Sequence, residues 1–571
     1  MKTRYKHIFA LTVMLATSFA IQANSDVVTL VVVKDANSRL ESTAKNYSQS
    51  VQGISMISAE RNSSQSEKLS LIDVPKSDVE YQIELLKSQG FKVAIDHPIY
   101  PEGKPDFNSR AKVSNKTLSA LTEGQTVTQT VTYNDPYFDS QTHLHPFNED
   151  NLVGNNFVGA WGLGEPRSKA RVGIIDGGFL TEGFFPDMRL PVAEKSLTHD
   201  RLGQTAWNTE EDMSCENGHG AAVYGVIGAV SNNNDGISGL ANADMVMAQS
   251  HLCGNSSFYI VSKAIYWLAG VDYFNIQGLS EPVDIINISS GAELECPYYM
   301  QDAIDAATAK GITIVTSSGN DANDIKNMAP SNCKGVVSVS NIDDYTGDLY
   351  TTSSYGETVS LSAKGVSVPS FYKNASSLVA NWSGSSFSAP IVAGAYALAK
   401  SHAPSLSGST LRKLSESTAR ELTGPECSLK GCGAGLLDAK AFTEAAIDLQ
   451  ENGFGAIAPA LLSNEKCDDE LFATATGILD RLCASSEFTI TPHFDDGKTA
   501  FRIMSAPMRE EITELNTTTL TTTSETKFIL ADVDTRENKY FYQLCEKDGE
   551  CDESTLYHFN VDEFEQPSYC N

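Results

Sequence analysis

The chain has 571 residues, a formal net charge of -30 and an apolar fraction of 41%. That length accommodates about three or four domains, and the composition is ordinary for globular folds. So acidic a balance argues against nucleic acid or an anionic membrane as partner, and no basic patch contradicts it.

The N-terminus begins with the basic run Met1 to His7, continues through an apolar stretch from Ile8 to Ile21, and reaches small and polar residues at Gln22 to Ser25. This is the pattern of a secretory signal peptide over residues 1–23. It is too short for a comfortable membrane span, and no later run reaches about 18 apolar residues, so no integral membrane segment is expected. All 11 cysteines follow it, from Cys215 to Cys570, without a Cys-x-x-Cys pair. Disulfides in an oxidising compartment are therefore favoured over zinc, and the protein is expected to be secreted, extracellular or periplasmic in transit. The expected pairs are Cys215 with Cys253, Cys296 with Cys333, Cys427 with Cys432 and Cys467 with Cys483. One of Cys545, Cys551 and Cys570 is left over.

In residues 24–110 the run Val27 to Val33 predicts a buried strand, Asp78 to Ser88 an amphipathic helix and Phe91 to Ile95 a returning strand, together a small α/β module. Asn37 to Lys68 is polar and reads as loop. Residues 111–133, rich in Thr, Ser and Val without firm periodicity, read as a linker open to nicking.

Over residues 134–449 short buried strands alternate with helices. Arg171 to Ile175 predicts a strand ending at Asp176-Gly177-Gly178, and His219 to Val230 a helix. The strands Val283 to Ser289 and Ile312 to Thr316 flank the helix Tyr298 to Lys310, which Gly311 stops. Strand, helix and strand in series imply a doubly wound α/β fold with a parallel sheet covered on both faces. In such sheets functional residues gather beyond the carboxyl ends of the strands. Residues 450–571 read as a separate β-rich, disulfide-containing domain, with strands expected at Glu487 to Thr491, Thr499 to Met504 and Lys539 to Gln543. The Thr-rich stretch Thr517 to Thr523 is expected to break it up.

Four residues stand at places where this fold puts chemistry, each with a plainer alternative. Ser386 lies in Gly384-Ser385-Ser386-Phe387-Ser388-Ala389-Pro390, before an apolar run. With Pro390 in the first turn, the serine sits at a helix N-terminus, where unpaired N–H groups favour an oxyanion, or it merely caps the helix. Asp176 is a carboxylate at a strand end or a turn residue. A dinucleotide-binding turn is also weighed there, but the third glycine is missing. His219, between Gly218 and Gly220, is a base open to close approach or a structural histidine. Asn320, closing Ser317-Ser318-Gly319-Asn320, is a neutral oxyanion donor or a turn former.

Together, in the order Asp176, His219, Asn320 and Ser386, these blocks resemble the subtilisin-like serine proteases, or subtilases. Asn287-Ile-Ser-Ser-Gly291 is similar to the family's substrate-binding strand, and Cys432-Gly-Ala-Gly-Leu-Leu-Asp438 lies where its final helix approaches. The resemblance spans roughly Asn134 to Leu449. It implies a triad of Ser386, His219 and Asp176 acting through an acyl-enzyme, with Asn320 in the oxyanion hole. Ser289, Ser290, Gly291, Ser317, Ser318 and Gly319 would line the cleft for protein or peptide substrates. It also implies that residues 24–110 are a propeptide acting as intramolecular inhibitor of a zymogen.

No cofactor is required for this chemistry. A structural calcium ion is common in the family, and Asn232 to Gly236 is an oxygen-rich loop that could contribute ligands or be a plain turn. The chain departs from the family's blocks at Ala221 and Ala222, where threonine and histidine are usual. It departs again at Ser385, Phe387 and Lys364, the last placed on a loop. An inactive subtilase-fold binding protein or adhesin is the alternative.

Overall fold

The computed structural model describes residues 27–34, 55–58 and 104–106, nearly all of 69–101 and 133–452, and separate strands between 480 and 559. The expected signal peptide, the linker up to residue 132, and Cys467, Cys483 and Cys570 lie outside the described residues. The chain divides into two compact units, Met1–Asp96 and His97–Asn571.

In the first unit, four antiparallel strands run in the order Ser55–Ser58, Leu69–Pro75, Val27–Lys34, Phe91–Ile95. Strand alternation puts Leu30 and Val32 beside Ile72 and Val74, and the helix Val79–Ser88 covers them with Val79 and Leu86, one face at helical spacing. Ser55–Ser58 falls inside the stretch expected to be loop. Four residues are too few for alternation to register, and it pairs by backbone with Ser70 to Asp73.

The second unit is organised on seven strands in the order Leu361–Lys364, Val336–Ile342, Thr313–Ser317, Ile285–Ile288, Arg171–Gly177, Asp244–His251, Ala193–Ser196. Every neighbouring pair is parallel. The expected doubly wound architecture is present, and both faces are covered. Val172 and Ile174 join the core formed with the helices His219–Gly228 and Ser385–His402. Gly173, pointing the other way, faces Leu268 of the helix Phe258–Leu268, where an added Cβ would lie 2.7 Å from a Leu268 methyl. The next residue on the first face is Asp176, so the pleat delivers its carboxylate to the side where His219 begins its helix.

The helix Ser385–His402 is buried along nearly its whole length, which its run of Ala, Gly and Val permits. It starts five residues before Pro390, so the proline sits in the second turn, not the first as the sequence suggested. Lys364 also differs from expectation: it closes a strand of the main sheet, only 1% exposed, and pairs with Asp344.

Three expected disulfides are present, Cys215–Cys253, Cys296–Cys333 and Cys427–Cys432, with Cα separations of 5.1, 5.2 and 5.1 Å. Beyond residue 480, Ala500–Pro507, Thr518–Thr523, Asn538–Cys545 and Cys551–Phe559 form one antiparallel sheet, and three shorter strands form another. The Thr-rich stretch is therefore itself a strand over Thr518–Thr523, in keeping with the β-propensity of a branched side chain.

Candidate active site

Asp176 is fully buried near the carboxyl end of its strand. Its Oδ1 accepts from the Gly177 N–H at 2.7 Å, and both carboxylate oxygens lie 3.0 Å from His219 Nδ1. A carboxylate can only accept, so Nδ1 carries the proton and Nε2 is left as the basic nitrogen. His219 is the first residue of its helix and 1% exposed, its ring edge-on to Phe387 at 5.7 Å and to Trp382 at 6.2 Å. These two rings also touch each other, at 5.2 Å, so the imidazole plane is fixed from two sides.

The glycines around His219 have a steric reason. A Cβ on Gly220 would lie 2.3 Å from the Gly177 carbonyl oxygen, so the helix of His219 approaches the strand of Asp176 more closely than any side chain allows. Ala221 and Ala222 are fully buried behind it, where the larger residues usual in the family would need space. The Ala222 carbonyl accepts from Ser370 Oγ.

Ser386 is the second residue of its helix and fully buried. Its hydroxyl donates to the Ser289 carbonyl at 3.2 Å, while Ser289 Oγ donates to the Ser386 carbonyl at 2.9 Å. The second bond explains how Pro390 is tolerated. In a regular helix residue 390 would donate to the carbonyl of residue 386, proline has no N–H to give, and the Ser289 hydroxyl takes its place. Asn287 Nδ2 in turn donates to Ser289 Oγ at 2.9 Å, fixing that hydroxyl's direction.

Asn320 accepts the Ser385 N–H on its Oδ1 at 2.9 Å. Because a backbone N–H can only donate, the amide's orientation follows, with its NH2 free of that contact. Ser385 Oγ both accepts from the Gly319 N–H at 3.1 Å and donates to the Gly319 carbonyl at 3.2 Å, stitching the asparagine's loop to the serine's helix. The structure thus brings Asp176 to His219, His219 to the residue after Ser386, and Asn320 to the residue before it.

Of the expected cleft residues, Ser290 and Gly291 are buried and belong to a short strand that pairs antiparallel with the chain's own Pro101 and Tyr100. Ser290 Oγ and Ser318 Oγ are buried without a hydrogen-bond partner among the described residues. Ser317 ends the neighbouring strand, its carbonyl accepting from Ser331 Oγ.

Sequence reasoning missed Ser385 and Trp382 as positioning groups and overlooked His251 altogether. His251 is buried at the end of the adjacent strand, with Nδ1 2.8 Å from Ser250 Oγ. Burial pushes its pKa down to about 4, against the pull of the Asp176 carboxylate, so it is neutral beside the site. An added Cβ on Gly177 would meet the His251 carbonyl oxygen at 2.4 Å. Nothing in the local sequence around His251 signals this proximity, which only the parallel pairing creates.

The loop Asn232 to Gly236 is closed by protein donors. Asp135 accepts the N–H groups of Asn232 and Asn233 at 2.8 and 3.0 Å. Asp187 accepts from the Ile237 N–H and from Asn233 Nδ2, each at 2.8 Å. Among the described residues no group of three or more His, Cys, Asp or Glu is placed to hold a metal ion.

An aspartate, a histidine, an asparagine and a helix-borne serine are thus gathered at one end of a parallel α/β sheet. The description "Subtilase family" matches residues 167–435. The chain is 30% identical over 279 residues to Subtilisin Savinase of Lederbergia lenta, across 48% of this chain and 91% of that protein. It is 35% identical over 238 residues to an extracellular protease of Xanthomonas campestris pv. campestris, covering 40% of each. With an extracellular basic protease of Dichelobacter nodosus the identity is 32% over 239 residues, covering 40% and 39%. The chain belongs to the subtilase family. It spans about two fifths of the length of these last two relatives.

Proposed function

We propose that the protein is a secreted serine endopeptidase, made as a zymogen, that hydrolyses peptide bonds through an acyl-enzyme. The observation that carries the reading is the Asp176–His219 contact, 3.0 Å to both carboxylate oxygens, made by a histidine whose ring packs on the residue next to Ser386. In this reading Ser386 Oγ attacks the substrate carbonyl, His219 Nε2 takes the proton and returns it to the leaving amine, and Asp176 holds the tautomer and stabilises the imidazolium. The Asn320 amide and the Ser386 N–H receive the oxyanion. Water then hydrolyses the ester by the same route in reverse.

Substrate lies extended along Ser289, Ser290 and Gly291, adding a strand, with Ser317, Ser318 and Gly319 shaping the wall of the pocket before the scissile bond. The signal-like N-terminus and the relatives named extracellular support secretion. The α/β module of residues 24–110 acts as an intramolecular inhibitor, a reading supported by the chain's own strand at the Ser290–Gly291 edge. No step is routed through a metal.

Labelling with a serine-directed fluorophosphonate tests the proposal. The wild-type protein is expected to be labelled and to cleave peptides, and Ser386→Ala to do neither. An unlabelled wild type would favour the inactive binding protein instead.

A further inference from the structure

The strand Asp244–His251 runs parallel to Arg171–Gly177, and their register slips by one residue beside the candidate site. Asp176 pairs with Gln249, whereas Gly177 pairs with His251. Ser250 is the extra residue of a bulge, a feature that re-aims side chains and is common next to active sites. Ser250 and His251 are both buried. A Cβ on Gly177 would lie 2.4 Å from the His251 carbonyl oxygen and 2.5 Å from the His251 Cβ, so only glycine fits there. The bulge is thus pressed directly onto the Asp176–Gly177 peptide.

Counting protons fixes the direction of the hydrogen bonds here. Ser250 Oγ lies 3.5 Å from the Asp176 carbonyl, which can only accept, and 2.8 Å from His251 Nδ1. The single hydroxyl proton serves the carbonyl, so Nδ1 donates to Ser250 Oγ and Nε2 carries no proton. Nε2 is buried without a partner among the described residues. The other tautomer would leave a buried N–H unpaired there and would also take the serine's proton from the carbonyl, two losses in place of one. Burial holds the ring neutral, so it has one N–H to give.

The peptide unit joining Asp176 to Gly177 carries that carbonyl at one end and the Gly177 N–H at the other, and the N–H donates to Asp176 Oδ1 at 2.7 Å. Because the unit is planar, a donor that holds the carbonyl also aims the N–H. We propose that His251 is a positioning residue for the Asp176 carboxylate, acting through Ser250 and the Asp176–Gly177 peptide. The donors all point one way: His251 Nδ1 to Ser250 Oγ, Ser250 Oγ to the Asp176 carbonyl, and the Gly177 N–H to Oδ1, which also receives His219 Nδ1 at 3.0 Å. Each bond in such a line polarises the next. The inference rests on the endopeptidase reading above and adds to it a second histidine, one that acts on the carboxylate from the side away from His219.

Two measurements on the full chain test it. In the inactive Ser386→Ala form, proton NMR follows the low-field resonance of the His219 Nδ1–H that Asp176 accepts. His251→Leu, of similar bulk but with no donor, is expected to move that resonance upfield or broaden it away, and His251→Asn, whose amide can donate from the place of Nδ1, to restore it. In the active chain His251→Leu is expected to lower kcat about five- to tenfold with KM changed less than about twofold. Ser250→Ala should do the same, and the double variant should be no worse than either single one. His251→Asn should recover at least about half of the wild-type kcat. A resonance unmoved in His251→Leu overturns the proposal, as does additivity of the two substitutions, since a residue that only fills space would show both. Ser250→Ala carries the same two measurements should His251→Leu not fold. Fluorophosphonate labelling keeps the two readings apart. A labelled wild type with an unmoved resonance retains the endopeptidase and loses the positioning role, whereas an unlabelled wild type sinks the endopeptidase and leaves the resonance to decide whether His251 holds Asp176.

Discussion

Ser289 and Ser386 exchange two hydrogen bonds: the Ser386 hydroxyl donates to the Ser289 carbonyl at 3.2 Å, and the Ser289 hydroxyl donates to the Ser386 carbonyl at 2.9 Å. Ser289 thus both accepts a hydrogen bond from the Ser386 hydroxyl and completes the helix bond that Pro390 cannot make. Ser289→Ala removes that donor from a buried carbonyl and is expected to cost about 1–3 kcal/mol of stability. In a Pro390→Ala background the helix regains its own N–H, so the same substitution should cost far less. A double-mutant cycle on denaturation midpoints, run with Ser386→Ala to prevent self-digestion, checks this. Additive effects would mean that the Ser289 hydroxyl does not substitute for the missing N–H.

Asn320 is oriented by accepting the Ser385 N–H. Under the proposed mechanism Asn320→Ala should lower kcat by about 10²–10³ with KM little changed, since an oxyanion donor acts on charge that exists only in the transition state. Ser385→Ala, which removes both hydroxyl contacts to Gly319, should lower kcat by a smaller factor while leaving fluorophosphonate labelling measurable. A KM effect larger than the kcat effect for Asn320→Ala would assign the residue to ground-state binding instead.

The strand end at Asp176 and the helix starts at His219 and Ser386 were legible because each lies in a short block whose glycines and apolar run mark it. Asp176 shows how far that carries: strand alternation alone puts it on the face where His219 begins its helix. Ser386 shows the limit. Its helix start was readable, but the turn holding Pro390 was not, because the compensating donor, Ser289, lies 97 residues away in sequence. Lys364 was read as a loop residue for a related reason. Its strand has four residues, and its partner Asp344 is fixed by tertiary packing. The cleft strand at Tyr100 and Pro101 carries no periodic signal, since two residues paired through their backbone leave no pattern in side chains.

Lys364 and Asp344 form an ion pair in which the lysine is buried, and burial drives the lysine's pKa down and the aspartate's up. Removing one partner strands the other charge, so Lys364→Met and Asp344→Leu should each destabilise the protein by about 3–5 kcal/mol. The double variant should recover much of that loss, since two apolar side chains need no pairing. His143, buried nearby with neither ring nitrogen partnered among the described residues, is held neutral by burial and by the lysine's charge. Chemical denaturation of the Ser386→Ala forms measures the three variants. A double variant as unstable as the sum of the singles would show that the pair is not coupled.

Asp187 sets a pH dependence whose sign follows from its surroundings. Burial pushes its pKa up to about 7, helped by the Asp135 and Asp235 carboxylates and opposed by the hydrogen bonds from Ile237 and Asn233. An added Cβ on Gly236 would lie 2.1 Å from its Oδ2, so the loop is pressed directly onto the carboxylate. A folded-state pKa raised above the unfolded value means that folding binds a proton. The stabilisation is complete below the ordinary carboxylate range, is lost as pH rises through about 7, and changes no further above that. Asp187→Asn keeps an acceptor for the Ile237 N–H and cannot ionise. Denaturation midpoints of the inactive Ser386→Ala form at pH 5 and pH 8 should therefore fall with pH when Asp187 is present, and fall less when it is asparagine. Equal falls in the two forms would assign the slope to other groups.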